Sequence, residues 1–213
     1  MIFLTVTELK REIEHLEKKI GKKVRCKLKE FEKNSSASQK KKFLELCFCI
    51  LVANSSVKKT QEICDRIGEK FFTLSEKQLK FYLKKYGQRF YNKRARYIVL
   101  ARKHIGEIDA ITKNKNEQEA REWLVENIPG ISWKEASHFL RNVGFKNFAL
   151  LDRHIMKILQ SRRVLGKNPS TLSKKQYFTV ERQLKNIADS LGITLAELDL
   201  YLFYLDANRI CER

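Results

Sequence analysis

Chain breakers are scarce in this sequence, which has two prolines and eight glycines among 213 residues. Seven of the glycines stand where a helical pattern ends or in one tight turn, and no Asn-Gly or Asp-Gly pair separates alternating strand-like runs. A hairpin-rich β fold is thereby excluded, and an all-α fold is expected. Long apolar runs are missing too. The longest, near Leu46 to Ala53, falls well short of the ~20 residues that a membrane span needs, so it predicts a buried helix and no membrane partner. The opening Met-Ile-Phe-Leu lacks a basic segment and a charged run follows from Glu8, which excludes a signal peptide; the expected location is the cytoplasm, at the nucleoid.

Signatures of metal and nucleotide sites are absent as well. The five cysteines, Cys26, Cys47, Cys49, Cys64 and Cys211, are an odd set without ligand spacing, and their expected role is packing. The four histidines never form an i, i+4 pair with a carboxylate between them, which leaves no zinc signature and no assigned metal ligand. No Rossmann or P-loop glycine pattern, fixed-period repeat or low-complexity tail occurs.

Acidic residues are in deficit: 25 stand against 44 lysines and arginines, a formal net charge of +19. Such a surface also serves solubility or heat tolerance, but its clustering says more. Between Lys80 and Lys103 nine residues are basic and none is acidic, with Phe81, Tyr82, Tyr86, Phe90, Tyr91 and Tyr97 interleaved. Basic side chains neutralise phosphates and aromatic faces stack on bases, so this stretch, with Arg89, Arg94 and Arg96, is expected to follow a nucleic-acid backbone.

A helical pattern runs throughout. Val6, Leu9, Ile13, Leu16 and Ile20 predict an amphipathic first helix that stops at Gly21, followed by a lysine-rich connector over residues 22–36. Helices are predicted from about Gln39 to Ala53, from the Asn54-Ser55-Ser56 turn to about Phe72, from a Ser75 cap to Gly87, and from Tyr91 to a stop at Gly106. Asn116 opens the next, which carries Ala120, Trp123, Leu124 and Ile128. Helices that begin after Trp133 and Asp152 are expected to end at Gly144 and Gly166, and caps at Ser173 and Thr194 begin the last two.

Residues 128–134, Ile-Pro-Gly-Ile-Ser-Trp-Lys, end one helix and start another. Pro129 and Gly130 break the pattern, and Ser132 with Glu135 makes a capping-box pair. This helix-hairpin-helix offers the first amides of the new helix to an anion, here a nucleic-acid phosphate. Lys134 sits in the first turn, where the macrodipole favours a free amine, which is a nucleophile. Asp152 follows eighteen residues later, a spacing that fits one helix, a return loop and the start of another, and so is able to bring both groups to one cleft. Plainer readings exist: Lys134 as a phosphate contact, Asp152 as a helix N-cap, and structural places for His138 and His154. An ionised carboxylate at position 152 is able to orient the amine, accept a proton or stabilise a sugar cation.

Residues 128–134 with Leu151-Asp152-Arg153-His154 resemble the helix-hairpin-helix and catalytic-aspartate signature of the DNA base-excision glycosylase superfamily. Two longer strings, Lys134 to Gly144 and Arg89 to Tyr97, resemble the short prokaryotic 8-oxoguanine DNA glycosylase/AP lyase family within it. The likeness covers most of the chain. The iron–sulfur cysteine cluster of some superfamily members is absent, which argues against the endonuclease III branch.

This resemblance implies a two-lobed all-α helix-hairpin-helix fold with a DNA-binding cleft between the lobes, lobe A about residues 1–38 with 145–213 and lobe B about 39–144. It implies a monomeric, cofactor-free bifunctional enzyme that excises 8-oxoguanine from double-stranded DNA and cuts the strand by β-elimination through a lysine Schiff base. By position, Lys134 is implied as the nucleophile, Asp152 as its carboxylate partner, and Ile128, Gly130 and Ser132 as the phosphate grip. Asn54 and Ser55 resemble the turn that approaches the gap left by a flipped base. Phe90 and Phe203 are implied as walls of the base pocket, with the terminal carboxylate of Arg213 folded back onto it. Ser132 stands where the superfamily has a second glycine, Phe203 where relatives carry tryptophan, and Arg213 where the family commonly ends in lysine. Two other readings stay open, a lysine-bearing glycosylase for oxidised pyrimidines and a non-catalytic structure-specific DNA-binding module.

Overall fold

The computed structural model describes residues 6–114, 116–165 and 172–210, and among them the regular structure is helical without a strand. In chain order the α-helices are α1 Val6–Ser35, α2 Gln39–Val52, α3 Val57–Ile67, α4 Glu76–Lys85, α5 Tyr91–Ala101, α6 Ile105–Asn114, α7 Glu117–Asn127, α8 Trp133–Asn142, α9 Arg153–Ser161, α10 Lys174–Ser190 and α11 Leu195–Ala207. Short 3-10 turns, Gly68–Phe72 and Arg102–His104, lie between α3 and α4 and between α5 and α6. No helix among the described residues is long and apolar enough to cross a membrane.

Two predicted boundaries are corrected. Gly21 does not end the first helix, and the expected connector over residues 22–36 is mostly the continuation of α1 to Ser35. A glycine within a helix costs about 1 kcal/mol relative to alanine. The buried stripe of Leu9, Ile13, Leu16 and Ile20 continues past it through Val24 and Phe31, and burying those two side chains contributes roughly 1.5–3 kcal/mol each, enough to decide the matter. The lysines between them form the solvated face, where Lys27 pairs with Glu30 at 2.8 Å. Gly106 is likewise inside α6, without the positive φ that a helix stop would use. The turn falls earlier, where Arg102 donates to the Phe71 and Leu74 carbonyls at 2.7 Å each. Gly166 lies outside the described residues.

The chain divides into two compact units, one made of residues 34–143 and the other of the flanking residues up to Lys33 and from Gly144 onward. In the 34–143 unit α2 is the hub, packed against α3, α5, α6 and α8. Phe43, Leu46, Phe48 and Leu51 are fully buried along it, as are Cys47 and Cys49, and burial pushes the Cys47 thiol up. Cys26 departs from the packing expectation, being exposed, and Cys211 lies outside the described residues. In the other unit α11 packs against α9 and α10. Arg162 beyond α9 grips Glu12 of α1 with two nitrogens, at 3.0–3.2 Å.

A buried ion pair ties α2 to α6. Lys42 Nζ lies 2.9 Å from Asp109 Oδ1 and 3.0 Å from Thr112 Oγ1, with the lysine side chain sealed from solvent. Burial alone would push the Asp109 carboxyl up, but hydrogen bonds from Lys113, Lys42 and Gln39 together outweigh it and hold the group down to about 2. A carboxylate whose folded value is depressed adds stability that is complete above its unfolded value and is lost as pH falls through the folded value. The expected outcome is that chemical denaturation gives a stability falling by roughly 2 kcal/mol between about pH 5 and pH 2 through this group. Asp109→Asn should lower stability at pH 7 and flatten that part of the pH profile; an unchanged profile would show that the pair is not what acid disrupts.

Candidate active site and nucleic-acid interface

The hairpin between α7 and α8 is built by burial on one side and glycine on the other. Ile128 and Ile131 point into the core, 1% and 5% exposed, so only the backbone between them and the start of α8 faces outward. Gly130 has φ +86°, which favours glycine, and a β-carbon there would collide with Tyr97 Cδ2 and lie 2.8 Å from its Cε2. The Tyr97 ring of α5 thus lies directly on the hairpin. Ser132 has φ −102°, an ordinary value for any L residue, so this position does not need glycine. Its N–H donates to Glu135 Oε2 at 3.4 Å, and its hydroxyl donates to the same oxygen. The box also takes the Glu135 amide onto the Ser132 side chain, so the Trp133 and Lys134 amides of the first turn of α8 are left to an external acceptor.

Lys134 is the second residue of α8, its side chain about one-third exposed, with Nζ 3.5 Å from Glu135 Oε1. Glu135 therefore serves both the cap and the amine. The neighbouring Trp133 ring is covered by the buried Arg121 guanidinium of α7, 5.9 Å from the ring centroid.

A second group gathers around the end of α2. Asn54, with φ +54°, and Ser55 form an outward turn between α2 and α3. Phe90 caps α5 in a left-handed conformation, φ +55°, and its ring is 55% exposed between the guanidinium carbons of Arg89 at 5.3 Å and Arg94 at 5.7 Å. Left-handed backbone is uncommon for an aromatic residue and persists where the surroundings impose it. The expected phosphate contact by Arg94 is corrected. That residue is 4% exposed, and its guanidinium donates to the Leu51 and Ala53 carbonyls, because the carbonyls closing α2 need donors that its own helix cannot supply. Arg89 and Arg96 are exposed, as the phosphate expectation requires.

The third group belongs to the unit that flanks residues 34–143. Asp152 is the N-cap of α9 and accepts from the His154 and Ile155 amides at 2.9 and 3.0 Å. The loop leading to it is pinned: Leu150 N donates to Asp199 at 2.7 Å and Tyr177 Oη donates to the Ala149 carbonyl at 2.9 Å. His154 Nδ1 lies 2.5 Å from Asp206 of α11, which also pairs with Lys157 at 2.5 Å, and these bonds from Lys157 and His154 hold the Asp206 carboxyl below its usual range. Phe203 of α11 meets the His154 ring edge-on at 5.1 Å. Arg213 lies outside the described residues.

The structure places Lys134, Gly130 and Ser132 in one local group, Asn54, Ser55 and Phe90 in a second, and Asp152 and Phe203 in a third, and beside them stand four contributors that the sequence did not single out. Tyr97 looked like one more aromatic in a basic run, and only the lack of a side chain at Gly130 hinted at its neighbour. Glu135 was legible as a cap but not as the partner of Lys134. Asp206 and Gln88 carried no signal, since their partners lie 52 residues away at His154 and 37 at Leu51. Among the described residues no group of three or more histidine, cysteine or acidic side chains is placed to hold a metal ion.

Comparison with known proteins agrees with this geometry. A family model described as 8-oxoguanine DNA glycosylase matches residues 24–193. The 8-oxoguanine DNA glycosylase/AP lyase of Methanocaldococcus jannaschii is 44% identical over 184 residues, 86% of this chain and 89% of that one. The protein of the same name from a Thermotoga strain is 36% identical over 204 residues, 95% of this chain and 98% of that one. The crystal structure of the M. jannaschii enzyme in complex with a 15mer DNA containing 8-oxoguanine superposes with a TM-score of 0.91 at 41% identity, covering 96% of this chain and 99% of that one. The 8-oxoguanine DNA glycosylase of Thermotoga maritima superposes with a TM-score of 0.90 at 34% identity, covering 97% of this chain and 100% of that one. By sequence and by fold alike, the chain belongs to the helix-hairpin-helix 8-oxoguanine DNA glycosylase family.

Proposed function

We propose that this protein removes 8-oxoguanine from double-stranded DNA and then cleaves the strand at the abasic site, with Lys134 as the nucleophile. The observation that carries the reading is the position of the Lys134 amine, partly exposed in the first turn of the hairpin's own helix, in a chain of this family. Chemistry on a base requires taking it out of the stack. Backbone amides at the start of α8 hold a phosphate, and the exposed Phe90 ring, with Phe203, offers an aromatic face to the flipped base. The Lys134 amine attacks the anomeric carbon as the bond to the base breaks, and the base leaves as an anion that takes a proton from solvent. One proton of the resulting ammonium passes to the ring oxygen as the ring opens, which leaves a protonated Schiff base. That cation acidifies the adjacent sugar carbon, whose proton is removed, and the bond to the 3′ phosphate oxygen breaks. The Asp152 carboxylate stabilises the positive charge that develops on the sugar and accepts a proton.

Borohydride should reduce the imine of wild-type protein on an 8-oxoguanine duplex to a stable cross-link, and Lys134→Gln should give none while still binding DNA. A normal cross-link yield from Lys134→Gln would place the nucleophile elsewhere. It would leave Lys134 as a phosphate contact.

Asp152 is already an N-cap, a role whose loss costs about 0.5–2 kcal/mol. Asparagine also caps, so Asp152→Asn should melt within a few degrees of wild type while single-turnover excision falls about 10²- to 10⁴-fold. A stable, fully active Asp152→Asn would reduce the residue to its cap.

With Arg94 turned inward, the phosphate track is proposed to run through Arg89 and Arg96. Replacing both by glutamine should flatten the slope of log affinity against log salt by about 2, since each phosphate contact contributes roughly 0.9, and leave the preference for the lesion over guanine unchanged. A slope equal to wild type would assign both arginines to a solvated face.

A further inference from the structure

The strongest clue outside the reacting groups is a buried cation whose contacts lie beside two exposed residues with left-handed backbone. Arg94 Nη1 donates to the Leu51 carbonyl at 2.5 Å and the Ser55 hydroxyl at 3.2 Å, while Nη2 donates to the Ala53 carbonyl. These acceptors bracket Asn54, the exposed left-handed residue of the turn. The same guanidinium lies 5.7 Å from the centroid of the Phe90 ring, within cation–π range, and the Arg94 amide donates to the Phe90 carbonyl at 3.1 Å. The two left-handed non-glycine residues of the 34–143 unit, Asn54 and Phe90, are therefore held by one side chain.

A simple capping role for the end of α2 explains only part of this. Gln88 Nε2 already donates to the Leu51 carbonyl at 3.0 Å and to the Ser55 hydroxyl at 3.2 Å, so a neutral amide serves two of the three acceptors. Burying a guanidinium there is costly: desolvation, with the nearby Arg89 charge, pushes Arg94 down to about 10. What arginine adds is a rigid planar fork that reaches the Ala53 carbonyl as well and presents a flat cation toward an aromatic ring, which neither an amide nor an ammonium does.

We propose that Arg94 is a positioning residue that locks the 53–56 turn and the Phe90 ring into one recognition element, so that Asn54 and Phe90 engage the DNA in fixed register when the lesion leaves the stack. The inference rests on the proposed excision of 8-oxoguanine and on the place of Phe90 in it. Arg94 touches neither base nor phosphate and acts through Phe90 and the turn. Its loss should therefore weaken the step that needs base recognition and spare a step on DNA from which the base is already gone.

The test measures single-turnover excision from an 8-oxoguanine duplex and β-elimination at a pre-formed abasic site, for wild type, Arg94→Met, Arg94→Lys, Phe90→Ala and the double variant of Arg94→Met with Phe90→Ala. Arg94→Met should slow excision at least tenfold while abasic-site cleavage changes less than threefold, and Arg94→Lys, which keeps the charge without the fork, should fall between. In the Phe90→Ala background, Arg94→Met should cost clearly less than it does alone, because one of the two elements through which it acts is gone. Should Arg94→Met fail to fold by thermal melting, Arg94→Lys carries the same comparison. Equal loss of both activities, or a full additional loss on top of Phe90→Ala, would make Arg94 a structural cap only and overturn the proposal. Unchanged excision by Arg94→Met would overturn it as well. If wild type itself excised nothing from the lesion duplex, the activity reading would fall and the inference with it, an outcome distinct from a variant that behaves like an active wild type.

Discussion

The bare α-carbon of Gly130 leaves room for the Tyr97 ring, and the hairpin meets α5 through that close approach. A β-carbon at this position would overlap the ring, so glycine is what lets the hairpin backbone rest on α5. The same helix carries Phe90 at its cap and Arg94 one turn along. Tyr97 is one turn further, so about 5 Å of axial rise separates each from the next. A single rigid element thereby sets the position of the exposed aromatic ring, the Asn54 turn and the start of α8. Sites held by the faces of a helix keep their geometry better than sites held by loops alone. Within the 34–143 unit, helix starts and a turn supply the proposed reacting and contacting groups, and α5 sets their spacing.

Basic residues divide into two populations that composition merges. Lys42, Arg94, Arg121 and Arg141 are buried, each with acceptors close by. Burial of a charge is costly unless polar groups surround it, and here Lys42 has a carboxylate and a hydroxyl, Arg94 two backbone carbonyls and a hydroxyl, Arg121 a hydroxyl and an amide oxygen, and Arg141 an amide. None of the four offers its charge directly to an external phosphate. The exposed remainder, with Arg89 beside the Phe90 ring and Lys93 and Arg96 exposed on α5, still leaves a strongly positive surface for a polyanion.

What the sequence disclosed was what depends on near neighbours. The Ser132 and Glu135 cap, the break at Pro129-Gly130 and the Asp152 cap each involve residues within four positions, so their chemistry is written locally. Gly21 misled because its local cost is smaller than the burial of Val24 and Phe31, which only the folded packing reveals. Arg94 misled for a related reason. In a run of alternating basic and aromatic residues the helix turns about 100° per residue, so neighbours of the same charge face opposite environments, and the run alone does not say which faces inward. The pairing of His154 with Asp206 needed two helices brought together from distant parts of the chain.

The way α1 is joined to the rest has a consequence for synthesis. The unit of residues 34–143 is continuous, whereas the other is assembled from the segment before it and the segment after it. A chain emerging from the ribosome can therefore close the 34–143 unit once α8 has been made, but α1 must wait more than a hundred residues for the other segment of its own unit. A lysine-rich face and a glycine at the middle of the helix suit a segment that is made well before the elements of its own unit, since charge favours solubility and glycine lowers helix propensity while the apolar stripe is uncovered.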